Sequence, residues 1–305
     1  MAAYDSDPAL SLEAIRKVVL ADAAHESSFA AQTARRPLAN DAAVRLYGTS
    51  PCATLLIAFS ALGGVRHEFV GSCKRAGISH ALFLTDSKQS WFLLDNSFED
   101  VLSALAEEIG QLRPQKLAIV GSSMGGYAAL RAALELRCGL PITALAFGPQ
   151  VFIDPEERSG VLALPPMPFD ANLSTTKHVW TSQQRGMRLP SAVDTLLRSP
   201  QAAASAGTPP TTASPLHIHV HVGALAHGDV REAALLREAA AVASTRRTVS
   251  VDVHAHEGVG HRVAEALRDE MLLEPMLRDA VQREHDPAPI FYEEDGAGSK
   301  GRDDS

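Results

Sequence analysis

The stretch "LAIVGSSMGGYAAL", residues 117 to 130, constrains the chain more than any other. A short apolar run of strand character leads into it, and an alanine-rich stretch of helical length leads out. Between them "GSSMG" (121 to 125) fits Gly-x-Ser-x-Gly, whose glycines let the backbone turn sharply from strand to helix while the central serine projects above a sheet. Three fixed letters recur by chance, so the flanks carry the argument. Gly125, Gly126 and Ala128 are small where a following helix must pass close to its neighbours. The Met124 amide, at the helix N-terminus, is placed to donate to a developing oxyanion. Ser123 is the candidate nucleophile; the bland alternative is a serine in a Ser/Gly loop.

The rest of the chain supplies a scaffold of the right kind. Short apolar runs at 53–59, 80–84, 116–121, 142–147, 216–222 and 248–256 alternate with helix-like segments near 65–76, 97–110, 124–137, 229–243 and 261–271. That alternation predicts a mostly parallel sheet covered by helices on both faces. Helical spacing over 9–33 predicts an N-terminal helical extension within residues 1–40, ahead of a main domain at 41–282. The interval 152–214 breaks the rhythm. It carries Pro155, Pro165, Pro166, Pro168 and Pro190 and ends in "SPQAAASAGTPPTTASP", so it reads as a lid-like cap or flexible insert. The polar, mostly acidic stretch 283–305 reads as a disordered tail.

A serine nucleophile needs a base and an orienting carboxylate. In a fold that lifts the serine on such a turn, chain order is Ser, then acid, then a late His. His261, in "HEGVGH" just after the last strand-like run, fits the base. His254 and His256 lie inside that run, where the sheet holds them. Asp229, at the end of the loop after "LHIHVHV", fits the acid, although Asp is also an ordinary N-cap. Asp154 is the alternative acid, and Asp252 is the weakest. The second oxyanion donor is expected in "AFSALGG", from the amide of Ala61 or else Leu62. Leu62, Asp86 and Trp91 are candidates for lining a substrate pocket; for Trp91, core packing explains the letters as well.

Several function classes are excluded or disfavoured. The 28 Lys and Arg are scattered in a chain of net charge −8, which is no footprint for nucleic acid. No window approaches the ~18 uninterrupted apolar residues of a membrane span, and the first twenty residues lack a signal-peptide pattern. Three widely spaced cysteines, Cys52, Cys73 and Cys138, suit a reducing, cytoplasmic setting. His217, His219 and His221 share one strand face, as do His254 and His256, but i and i+2 side chains stand nearly ~7 Å apart with no Cys or Glu to complete a set. No metal and no cofactor are expected, and those histidines are expected to pack under covering helices. Oligomeric state is not readable from the sequence.

Taken in order, "AFSALGG", "GSSMGGYAAL", "AFGPQVFIDP" and "GVGHRVAEALRDEMLL" resemble the α/β-hydrolase superfamily over roughly residues 45–275. The resemblance is greatest to bacterial members with a Gly-x-Ser-Met-Gly-Gly-Tyr elbow and a following Ser-Pro-Gln segment. Here Gly148 stands where those relatives tend to have serine. The resemblance implies that Ser123, Asp229 and His261 form a triad, with Met124 and Ala61 amides at an oxyanion hole. It implies a carboxylesterase-like serine hydrolase acting on a small-molecule or acyl-ester substrate, ester or thioester. Acyl transfer by the same triad, or a non-catalytic binding protein on the same fold, are the alternatives.

Overall fold

Continuous apolar runs form the strands at the centre of the molecule because a parallel strand is buried on both faces. The computed structural model describes residues 33–37, 43–47, 53–61, 67–86, 91–92, 98–153, 191–197, 214–243 and 249–282. Its strands are β1 (Thr33–Pro37), β2 (Ala43–Tyr47), β3 (Thr54–Phe59), β4 (Ala81–Thr85), β5 (Lys116–Ser122), β6 (Ile142–Phe147), β7 (Leu216–Gly223) and β8 (Val249–His256). They form one sheet in the order β1-β2-β4-β3-β5-β6-β7-β8. β1 and β2 run antiparallel, as do β2 and β4, and every pair from β4 through β8 is parallel.

Alternate residues of each central strand feed two separate cores. Leu55, Ile57 and Phe59 face the helices α2 (Glu99–Leu112), α3 (Met124–Glu135) and α4 (His227–Ala243). Leu56 and Ala58 face α1 (Val70–Arg75), α5 (Val263–Asp269) and α6 (Leu273–Gln282). Each buried Leu, Ile or Phe contributes roughly 1.5–3 kcal/mol of burial free energy, so the central strands anchor both layers. Strand order reverses between β3 and β5, since the chain leaves β3 toward β4 and leaves β5 toward β6. Such a switch point opens a crevice beyond the carboxyl ends of the strands, and both Ala61 and Ser123 lie there.

The structure adds elements to those expected from the sequence. Residues 33–37, inside the expected N-terminal helical extension, form strand β1 instead; its partner is β2, the next strand in the chain, and helical spacing does not report cross-strand pairing. The remainder of that extension lies outside the described residues. The helix expected near 261–271 is α5, and a further helix, α6, follows it after Met271 takes φ +59°. Pro275 is tolerated in α6 because it lies in the first turn, where amides have no helical partner. Of the 152–214 insert, the described parts are its first residues, a short helix at 192–197, and 214; the remainder and the 283–305 tail lie outside the described residues.

Candidate active site

The elbow is a local consequence of two glycines. A Cβ at Gly121 would fall 2.0 Å from the Gly125 carbonyl oxygen, and one at Gly125 would fall 2.3 Å from the Phe59 carbonyl oxygen. No side chain fits either position, so β5 and α3 meet, and pass the end of β3, only if both are glycine. Between them Ser123 adopts φ +52° and ψ −116°, an uncommon backbone conformation for a residue with a side chain. Strain of this sort costs on the order of 1–3 kcal/mol and persists when surrounding contacts impose it. Here the Ser123 amide donates to the Phe147 carbonyl at 2.8 Å, and its carbonyl accepts from Tyr127 N at 3.1 Å.

His261 is delivered by a loop that folds back on β7. Gly223 makes room, because a Cβ there would fall 2.0 Å from the Gly260 carbonyl oxygen and 2.2 Å from that of Val259. Leu225 N donates to Val259 O at 3.0 Å and fixes the loop. Gly148, at φ +50°, backs the histidine on its other side. Asp229 lies in the first turn of α4, where the helix dipole favours its negative charge.

These three elements bring the three side chains together. His261 Nδ1 lies 2.6 Å from Asp229 Oδ2, and His261 Nε2 lies 2.9 Å from Ser123 Oγ. A carboxylate only accepts, so Nδ1–H donates to Asp229; Nε2 is then free to accept the Ser123 hydroxyl proton. Asp229 is nearly buried, whereas the His261 side chain is 40% exposed. The result is a serine hydroxyl poised beside a base whose tautomer is fixed by a shielded carboxylate.

Other expected site residues are placed as follows. The Ala61 amide donates to Glu68 Oε2 at 3.0 Å, while Glu68 N donates to Ser60 Oγ at 3.3 Å, so a carboxylate occupies the donor expected for the oxyanion. Asp86 and Trp91 are both only 2% exposed, which places them in the interior and not on an open pocket wall. Trp91 Nε1–H donates to Gln150 Oε1 at 3.1 Å, and Phe92 N donates to Asp86 Oδ2 at 2.9 Å. These bonds hold Trp91 and Phe92 at φ +57° and +58°. Leu62 and Asp154 lie outside the described residues, and Asp252 is exposed on β8 with His219 Nδ1 at 3.7 Å.

The histidines of β7 and β8 form a ladder, with His221 stacked on His254 at 4.5 Å between ring centroids. Only His221 is buried, so the expectation of histidines packed under helices holds for that one. Beside the ladder lies a cavity of about 270 Å³ bordered by α6. Among the described residues no group of three or more His, Cys, Asp or Glu is arranged to hold a metal ion. Nor is any helix among them long and apolar enough to cross a membrane.

The sequence matches no family model, and no curated protein resembles it in sequence. Solved structures do resemble it in shape. The esterase LipW from Mycobacterium marinum superposes with a TM-score of 0.53 at 15% identity, covering 89% of each chain. An esterase from the bacterial hormone-sensitive lipase family gives 0.51 at 18% identity, over 82% of this chain and 84% of that one. The capsule O-acetyltransferase of Neisseria meningitidis serogroup A gives 0.52 at 13% identity, over 80% of this chain and 93% of that one. The chain has the α/β-hydrolase fold. Within that α/β-hydrolase fold, the contacts of Gly148, Gly223, Glu68 and Glu232 were not anticipated from the sequence. The glycines carried a signal, each standing at the end of a strand-like run; the two glutamates carried none, since their contacts are with residues seven or more positions away.

Proposed function

We propose that the protein is a serine hydrolase of carboxylesterase type, cleaving an ester or thioester through an acyl-enzyme on Ser123. The observation that carries this reading is the unbroken hydrogen-bonded series from Ser123 Oγ through His261 to Asp229. Ser123 Oγ attacks the substrate carbonyl carbon as its proton passes to His261 Nε2. The carbonyl oxygen becomes an oxyanion, met by the Met124 amide and, once Glu68 is displaced, by the Ala61 amide. Collapse breaks the C–O or C–S bond, and His261 returns the proton to the leaving group. Water then attacks the acyl-enzyme, gives a proton to His261, and the acid leaves as Ser123 recovers its hydrogen. The 40% exposure of the His261 side chain supports water as the acceptor. The likeness to a capsule O-acetyltransferase makes transfer to an acceptor hydroxyl the second reading. Free Cys73 and Cys138 are in keeping with a reducing, cytoplasmic setting.

The test is labelling by a fluorophosphonate, with intact mass to count adducts, on the wild type, Ser123→Ala and His261→Ala. One adduct on the wild type, absent from Ser123→Ala and strongly slowed in His261→Ala, is the expected result. A folded wild type that takes no adduct and turns over no p-nitrophenyl ester or thioester overturns the reading. Turnover in the presence of a sugar or glycerol acceptor separates hydrolysis from transfer by product mass.

A further inference from the structure

Glu232 is 0% exposed on α4, a depth at which a carboxylate is rare unless it is fully engaged. Its Oε2 accepts two successive backbone amides, Val151 N at 2.7 Å and Phe152 N at 3.2 Å. Those amides belong to the segment after β6, and that segment touches both ends of the reacting series. Gly148 lies against His261: a Cβ on it would fall 2.6 Å from the His261 carbonyl oxygen and 3.4 Å from its Nδ1. Pro149 lies against the elbow helix: a Cβ on Gly126 would fall 3.0 Å from Pro149 Cα. Glu232 follows Asp229 by three residues, so the two carboxylates leave the same helical turn on neighbouring faces. One turn of α4 thus holds the imidazole directly through Asp229 and also anchors the segment that backs it.

The geometry points to Glu232 as a positioning residue that sets the alignment of His261 between Asp229 and Ser123, by pinning residues 148–152 through the Val151 and Phe152 amides. The inference rests on the hydrolase reading for its kinetic consequence and not for its geometric one. Val151 extends the same anchor outward, because its carbonyl accepts from Ala192 N at 3.1 Å. Ala192 is therefore tied to the same residue, Val151, that Glu232 holds. If the carboxylate merely satisfied two buried amides, its loss would lower stability and leave the folded enzyme's chemistry unchanged.

Two conservative variants separate these roles. Glu232→Gln keeps an acceptor oxygen at full reach and loses the charge; Glu232→Asp keeps the charge and withdraws the oxygen by one methylene. On full-length folded protein, Glu232→Gln is expected to keep kcat within about threefold of wild type. Glu232→Asp is expected to lose about 10- to 100-fold in kcat with KM nearly unchanged, the size of effect that a small misplacement of a catalytic group produces. The fluorophosphonate labelling rate should fall in parallel. The downfield proton resonance of His261 Nδ1–H should persist in Glu232→Gln and broaden or vanish in Glu232→Asp. Wild-type kcat and an intact resonance in Glu232→Asp, with only the thermal midpoint lowered, overturn the inference. So does a Glu232→Gln variant as impaired as Glu232→Asp. If the wild type proves to have no hydrolase activity, the resonance alone still decides the role of Glu232.

Discussion

Gly148 presents a bare Cα to the carbonyl of His261, so close that any Cβ would lie 2.6 Å from that oxygen. Its φ of +50° is also one that side chains rarely adopt. Gly148→Ser should therefore push His261 away from Ser123. We expect a loss of about 1–3 kcal/mol in stability and at least a tenfold loss in kcat. Urea unfolding beside ester turnover checks both, and wild-type turnover in a stable Gly148→Ser would contradict it.

Asp229→Asn should keep the fold and remove most activity. An amide can present its NH2 to Nδ1 and favour the tautomer that cannot accept the Ser123 proton. A fall in kcat of about 10³- to 10⁴-fold is the expected scale, read from single-turnover acylation, with Asp154→Asn as a control that should stay near wild type.

Glu68 occupies the Ala61 amide. If that amide completes the oxyanion hole, the carboxylate competes with the transition state, and Glu68→Ala should raise kcat several-fold. The upper bound is the ~10²- to 10³-fold that one oxyanion donor is worth. A drop in kcat at unchanged stability would instead show that Glu68 holds Ser60 and Ala61 in their working positions.

Acid should destabilise the protein through the histidine ladder. Burial first, then the neighbouring His254, His256 and His219, lower the His221 imidazole from its ordinary 6.5 to about 2. The unfolded chain binds that proton below about pH 6.5, whereas the folded chain excludes it until about pH 2. Stability from this group is thus complete above the unfolded value and is lost as pH falls, by about 1.4 kcal/mol per pH unit. His256 is lowered too, chiefly by burial, and acts in the same direction. Urea midpoints at about pH 7.5 and about pH 5.5 measure the slope, and His221→Phe, which keeps a ring beside Phe147, should flatten it.

Much of the architecture was readable because buried parallel strands write themselves as apolar runs: "TLLIAF" is β3 and "ITALAF" is β6, letter for letter. Ser123, Asp229 and His261 were readable for a related reason. Each follows a strand by a short loop, so the strand order carried all three to one edge of the sheet. What escaped depends on pairing and packing between elements. "TARRP" and "AVRLY" have no strand-like apolar pattern and become strands only through pairing with each other and with β4. Glu232 looked like one more charge on a mixed helix, and only the packing of the 148–152 segment turns it inward. Trp91 was ambiguous between pocket and core until Gln150 met its indole.

The serine and its base are 138 residues apart in the chain, and the base comes last. If Ser123 is the nucleophile, it leaves the ribosome during synthesis, at ~5–20 residues added per second, long before His261 can take its proton. For that interval Ser123 is an ordinary alcohol. On the proposed mechanism, reactivity switches on only when β8 has docked on β7 and His261 has followed it across: a chain truncated before residue 261 should stay inert however well its parallel strands assemble.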